Sequence, residues 1–509
     1  MINWVMECIS TPKYSLALNG SLHGYFKGKR GLRQGDPLSP YLFVLGMEYL
    51  SRSLNALRND NLFKYHPKCQ SLGITHLIFA DDLLLFAKAD GYSIMKLFYC
   101  LKEFSRVSGL EANPAKCSIY FSGVDDGLKN QVCSLLNFPE GMLPIHYLGL
   151  PLISKRLSYL DCSPLLSKIS EQFLHWQKKK CLSYAGRIQL IKSVIMGIQI
   201  FWTSNYILPV KVLEKIDRMC SDFLWNNKIH LVSWESICRG KEQGGLGLYS
   251  PKSWNHAVAI KLLWMIHQKK DMLWIKWIHE NYVHQTDIWH IQSKASDSWL
   301  WRRLLKIRDM AVSKFGSANN LINTINNCHS GGKFLISSVY KALISFSPPV
   351  PWFNTVWERL NYPKHSFVLW LASQSRLLTQ DRLCKMNIIT SNQCVLCPGH
   401  HQAEETCQHL FFDCPYSAQV WNNVMDWMNF SWRSCNWLHL FDWYNNNLRG
   451  KGFKKKLKRM VLAVTVYLVW QERNLRAFQG KSRDPVTLFR LIKFTVFTKI
   501  LNDDTLNLV

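Results

Sequence analysis

The chain has 509 residues, 48% of them apolar, with 21 Trp and 26 Phe. That length holds several domains of ordinary size, and that apolar and aromatic content excludes a wholly disordered polypeptide. Its 62 Lys and Arg against 35 Asp and Glu leave a net charge of +27, which favours a polyanionic partner, either nucleic acid or an anionic membrane surface. Residues 1–10 lack the basic region and apolar core of a signal peptide. The nearest approach to a membrane span, residues 460–470, is far too short, so no membrane partner is expected. The 16 Cys are scattered. An intracellular, reducing location follows as the expectation, with nucleus and cytoplasm left open, and Cys pairs read better as metal ligands than as disulfides.

In chain order, the first informative segment is Arg30-Gly31-Leu32-Arg33-Gln34-Gly35-Asp36-Pro37-Leu38-Ser39-Pro40. Asp36 is a candidate helix cap, and Pro37 suits a first helical position. Gly31 and Gly35 permit positive φ or close backbone approach. A loop before a capped helix accounts for the segment structurally. In a functional reading, Arg30 and Arg33 are candidate phosphate contacts, and Gln34 and Gly35 lie against a template or incoming nucleotide.

The segment His76-Leu77-Ile78-Phe79-Ala80-Asp81-Asp82-Leu83-Leu84-Leu85-Phe86 sets two apolar, strand-like runs around one Ala-Asp-Asp step. This pattern predicts a hairpin with the Asp pair at its turn. Adjacent side chains of a regular strand point to opposite faces, and a turn relaxes that restriction. Carboxylates held there are able to bind divalent cations beside a transferred phosphate. Alone, an Asp-Asp step is usually a polar turn.

Together, residues 31–40 and Phe79-Ala80-Asp81-Asp82 resemble two palm motifs of the reverse transcriptases of plant long-interspersed, non-LTR retroelements, with Phe79 in place of the usual Tyr. Gly109-Leu110-Glu111-Ala112-Asn113-Pro114-Ala115-Lys116-Cys117 resembles the following motif, and Tyr147-Leu148-Gly149-Leu150-Pro151 the next. The resemblance implies RNA-directed DNA polymerisation, with an RNA template, a DNA primer and deoxynucleoside triphosphates. It makes Asp81 and Asp82 the Mg2+ ligands and catalytic carboxylates, and brings Lys116 towards the triphosphate; an ordinary solvated lysine is the competing reading. It also implies a further metal-binding Asp on a palm strand upstream of residue 1. Asp36, Asp60 and Asp90 do not replace it. The expectation is therefore an N-terminally truncated chain without independent polymerase activity. The alternatives are a nucleic-acid-binding remnant and a protein interaction scaffold with a structural zinc site.

Further along, Lys178-Lys179-Lys180, Arg187 and Lys192 are candidates for a thumb surface facing a nucleic-acid backbone, while Trp176, Trp202, Trp225 and Trp234 are expected in the core. Lys241-Glu242-Gln243-Gly244-Gly245-Leu246-Gly247 specifies turns, and the polar stretch 316–333 reads as a linker or long loop. Cys394-x2-Cys397 and His409-x4-Cys414 then offer three thiolates and one imidazole, a set suited to tetrahedral Zn2+ in a closed structural site. Cys407, His400 and His401 are alternative ligands; resemblance to the zinc-binding region downstream of reverse transcriptases favours His409. Residues 460–469 form a buried helix or strand before Trp470-Gln471-Glu472-Arg473-Asn474, where packing competes with nucleic-acid contact for Arg473 and Asn474.

The expected fold is α+β: a partial right-hand polymerase palm (1–125), a thumb and connection region (126–330), a small zinc-binding module (331–425) and a basic, Trp-rich extension (426–509), mostly helical after the palm.

Overall fold

Leu50, Leu54 and Leu57 recur at helical spacing and are buried by the helix Ser39–Ala56 and the turn after it. Leu97, Cys100 and Phe104 do the same for the helix Gly91–Ser108. A computed structural model describes the chain except residues 1, 29–31, 34, 154, 179–181, 227, 331–332, 345–346, 398–402, 431–435, 449, 451 and 503–509. It forms two units, Met1–Arg156 with Leu262–Asp297, and Leu157–Lys261 with Ser298–Val509. The fold class is α+β, as expected from the sequence: the described strands make two-stranded sheets in otherwise helical surroundings.

In the first unit the two helices pack with Leu83 and Leu85 of the hairpin His76–Phe79/Asp82–Leu85. Thr75 and His76 fasten that hairpin to the first helix, through Thr75 Oγ1 to Leu54 O at 3.5 Å and a 2.9 Å His76 Nε2–Ser51 Oγ bond. Asp90 caps the helix Gly91–Ser108 by accepting from Ser93 N, and Asp60 accepts from the Tyr92 hydroxyl and pairs with Lys96. Both therefore have structural partners. Several apolar side chains stay uncovered: Leu16, Leu22 and Tyr25 on the hairpin Lys13–Leu18/Ser21–Lys27, and Tyr41, Val44 and Leu45 on the helix Ser39–Ala56, are exposed.

The second unit is helical around a Trp-rich core. Trp176, Trp202 and Trp225 are buried as expected, whereas Trp234 is only half-buried and donates to Asp217 at 2.6 Å. Gly244 and Gly247 take positive φ, and a Cβ on Gly245 would lie 2.1 Å from the Arg239 carbonyl oxygen, so these glycines serve turns and close approach. The described part of the stretch 316–333 is not a loop. Ser317 caps the helix Ala318–Asn326, which buries Leu321 and Ile325, and a short hairpin follows. Leu321 and Ile325, one helical turn apart, give this otherwise polar segment a buried apolar side.

Residues 460–469 lie within the helix Phe453–Gln479, whose central turns are buried. Two histidines of this unit titrate unusually. Burial, then Lys364, pushes the His365 imidazole down to about 3, and burial, then Arg303 and Lys252, pushes His256 down to about 4. Folded, both stay neutral where the unfolded chain takes up protons near pH 6.5. Their contribution is thus fully present above about pH 6.5 and is lost as pH falls towards 4 and 3. Urea midpoints are expected to be lower at about pH 5 than at about pH 7.5, with the difference reduced in His365→Phe; equal slopes in both proteins would contradict this.

Candidate functional site

The Asp pair sits where the sequence puts it. Phe79 pairs with Asp82 across the hairpin, leaving Ala80 and Asp81 as a two-residue turn, with Ala80 at φ +50°. Alternation along the strands turns Leu83 and Leu85 to the core and Leu77, Phe79, Asp82 and Leu84 to the other face. Asp81 and Asp82 are exposed at the tip. Sequence reasoning missed one neighbour. The hairpin Ile145–Tyr147/Leu150–Leu152, turning on Leu148 and Gly149 at positive φ, brings Tyr147 near Asp82. Burial first, and the Asp82 charge second, raise the Tyr147 phenol above its ordinary value.

Of the Gly-rich loop, Arg30, Gly31 and Gln34 lie outside the described residues. Gly35 takes φ +88°. Arg33 lies 3.7 Å from Asp36 and donates to Cys8 O at 3.4 Å. The helix starts at Ser39, with Pro40 rather than Pro37 in its first turn. Asp36 caps the preceding turn instead, accepting from Leu38 N at 2.9 Å. Lys116 is exposed at the end of a single turn capped by Asn113. Among thumb candidates, Lys179 and Lys180 lie outside the described residues. Arg187 faces inward, donating to Phe223 O at 3.1 Å and covering the Tyr184 and Phe223 rings, so it ties helices together rather than facing a ligand.

The Cys/His cluster is the best-formed site. Cys394, Cys397, His409 and Cys414 bring their ligand atoms within 4.8 Å of one another, the sole such group of three or more found among the described residues. Cys394 N donates to Ala403 O and Glu405 N to Asn392 O, closing the loop that presents the two N-terminal thiols. His409 and Cys414, five residues apart, would project well apart around an α-helix. Instead a π-turn, His409–Asp413, closed by Cys414 N to His409 O at 2.8 Å, brings them together. Cys397 Sγ lies 3.2 Å from His409 Nε2 and 3.8 Å from Cys414 Sγ. Thiolates on one tetrahedral zinc, with bonds of about 2.3 Å, stand about 3.8 Å apart.

Cys414 caps the helix Pro415–Trp427. Its thiol is held below its ordinary value, first by a hydrogen bond from Cys394 and further by Ser417 and Tyr416 N–H groups, which outweigh burial. The same bond, then burial, drives the Cys394 thiol well up. A helix N-terminus that favours a thiolate suits a metal ligand. Cys407 is not in the cluster: it donates to Ala372 O at 3.5 Å, and burial pushes it up to about 12. His400 and His401 lie outside the described residues. The set fits zinc, and four protein ligands make the site structural.

The tail braces this centre. Arg473 forks onto Glu405, which lies between Cys397 and His409, with bonds of 2.8 and 3.0 Å to one oxygen and 3.3 Å to the other. Arg476 donates to Glu472 at 2.9 Å and reaches the Leu396 carbonyl, inside the Cys-x2-Cys turn, at 3.5 Å. Packing, not nucleic-acid contact, therefore accounts for Arg473.

Each of these two sites lies inside a segment that resembles a known family. Residues 2–152 match the family model for reverse transcriptase (RNA-dependent DNA polymerase), and residues 334–421 that for zinc-binding in reverse transcriptase. The chain is 30% identical over 366 residues to a retrovirus-related Pol polyprotein from the type-1 retrotransposable element R2 of Popillia japonica, a match covering 66% of the chain and 57% of that protein. It is 24% identical over 430 residues to an Arabidopsis thaliana protein named for ribonuclease H, covering 66% of the chain and 68% of the relative. To the Pol polyprotein of the Drosophila melanogaster element R2DM it is 34% identical over 135 residues, 26% of the chain and 12% of that protein. The chain thus spans little more than half of the Popillia relative and a small part of the Drosophila one. No described helix is long and apolar enough to cross a membrane. The chain thus carries a reverse-transcriptase-like segment that holds the Asp-Asp hairpin, and downstream of it a segment similar to the zinc-binding module of reverse transcriptases that holds the Cys3His cluster.

Proposed function

We propose that this chain is a primer–template-binding protein of the reverse transcriptase type whose own residues leave the polymerase site incomplete. The observation that carries the reading is the exposed Asp81-Asp82 turn on a hairpin fastened to two packed helices, within the reverse-transcriptase-like segment. In such a site Mg2+ supplies charge neutralisation at the transferred phosphate and activates the primer hydroxyl. Asp81 is the residue to hold it, at the turn where its carboxylate is free of a strand's facing constraint. Asp82 assists from the first strand position beside Tyr147. Arg30, Arg33, Gln34 and Gly35 are assigned to the incoming nucleotide and its template base, and Lys116 to the triphosphate. Among the described residues no third Asp, Glu, His or Cys joins Asp81 and Asp82 in metal-ligand range. Two carboxylates at one turn make a poor clamp for two metals.

RNA-directed DNA polymerisation by this chain is the second reading, favoured by the reverse-transcriptase match itself. The two part in a primer-extension assay on RNA with Mg2+ and deoxynucleoside triphosphates. Binding of primer–template without extension is expected. Robust synthesis abolished by Asp81→Ala would establish the second reading; absence of any primer–template binding would overturn both.

A further inference from the structure

A groove of about 400 Å3 opens in the second unit between the helices Tyr184–Leu190, Pro363–Ser373 and Phe453–Gln479. Tyr184, Tyr467, Trp470 and Phe478 line it, and Phe478 is 75% exposed. Its volume falls within the roughly 300–1,000 Å3 of small-ligand sites. The aromatic walls are fixed from behind. Tyr184 stacks on Phe367 at 5.2 Å, Tyr467 lies 4.2 Å from the His365 ring, and the Arg473 guanidinium sits 5.1 Å from Trp470 and 6.0 Å from Phe478. Arg473 is itself clamped by Glu405 of the zinc module, so the cation beside Trp470 and Phe478 is held in place by the protein's own ion pair.

The polar lining selects the occupant. Lys364 is exposed at the groove, 5.1 Å above the Tyr467 ring, and the side-chain amides of Gln471 and Gln479 add donors and acceptors. None of the residues lining the groove is acidic. A hydrocarbon ligand would leave those amides unpaired, and a cationic ligand would meet Lys364. A flat heteroaromatic ring with hydrogen-bonding edges, carried on an anionic chain, satisfies rings, amides and lysine together.

We infer that this groove takes an unpaired nucleobase of a single-stranded polynucleotide, with Lys364 on the adjoining phosphate. It deepens the nucleic-acid-binding reading above at a place separate from the Asp81-Asp82 turn. Base-on-aromatic stacking tolerates any base, so the groove grips a single strand without reading its sequence.

The test uses the full chain and fluorescence anisotropy with labelled oligo(U), oligo(dT) and an abasic strand of equal length. Phe478→Ala, at a mostly exposed ring, is expected to weaken oligo(U) binding about tenfold or more while leaving abasic-strand and duplex primer–template binding unchanged. Lys364→Ala is expected to lower the salt slope of oligo(U) binding by about one contact. Equal loss with oligo(dT) assigns the shared base-stacking chemistry; loss with oligo(U) alone narrows it to RNA. Unchanged oligo(U) affinity in both variants, despite retained primer–template binding, overturns this inference alone. Failure of the unsubstituted chain to bind either ligand overturns the underlying reading as well. Groove variants that change self-association but not oligonucleotide affinity would make a second copy the occupant and also overturn it. Retained zinc in each variant certifies the fold of the module behind the groove.

Discussion

Chelation of zinc is expected to unfold the C-terminal module rather than loosen it, and replacement of a single ligand is expected to do the same. Removing the metal leaves three thiols and an imidazole crowded within 4.8 Å, with Cys414 fully buried and its charge favoured by a helix N-terminus. Uncompensated charge there is costly. Structural zinc in small finger peptides contributes about 10–16 kcal/mol of apparent binding free energy, an amount comparable with the whole stability of an ordinary domain, about 5–15 kcal/mol. Cys394→Ala and Cys414→Ala should each lose zinc and melt early. Cys407→Ala should keep it, because that thiol bonds Ala372 O and stands outside the cluster. Metal content per chain and thermal denaturation check both arms. Zinc missing equally from the unsubstituted chain and from Cys394→Ala would refute the site.

The sequence made some of this legible because the chemistry is local. Two apolar runs around Ala80-Asp81-Asp82 define a hairpin, and a turn between them leaves few places for the Asp pair. The four zinc ligands stood out because Cys and His spacing encodes a coordination shell. Other features depended on partners far along the chain. Nothing near Arg473 announces Glu405, 68 residues away, and nothing near Tyr147 announces Asp82. Arg187 looks like any basic surface residue until the carbonyls of Phe223 and Leu224 are seen to converge on it. The helix Ala318–Asn326 was hidden by composition, since Asn-rich residues outnumber the Leu321 and Ile325 that anchor it. Nor does the sequence indicate the aromatic groove, whose walls come from three separate helices. The π-turn at His409–Asp413 is the intermediate case: His-x4-Cys spacing is visible, but only a widened turn lets both residues reach one metal.

Arg473→Met is expected to destabilise the second unit by about 3–5 kcal/mol, the cost of leaving one member of a buried ion pair alone. The side chains of Arg473 and Glu405 are 2% and 0% exposed. Without Arg473, Glu405 would keep the backbone N–H of Gln380 as a partner but no counter-charge. A lysine should not rescue, since it lacks the planar fork that meets both carboxylate oxygens. The double variant Arg473→Met with Glu405→Leu should recover much of the loss, because apolar replacements remove the uncompensated charge along with its partner. Denaturant midpoints of the two single variants and the double variant measure that coupling; losses that simply add would mean the pair does not act as a unit. Glu405 also bonds Asn392 O through its own N–H and lies four residues before His409, so Arg473→Met should release zinc to a chelator faster than the unsubstituted chain. The long helix Phe453–Gln479 then belongs to the metal centre as much as its ligands do: Arg473 holds Glu405, Arg476 holds the Leu396 carbonyl inside the Cys-x2-Cys turn, and the guanidinium that locks Glu405 also lies 5.1 Å from the Trp470 ring and 6.0 Å from the Phe478 ring. A fault introduced at Arg473 should therefore appear twice, as lost metal retention and as weakened single-strand binding, whereas Phe478→Ala should show only the second.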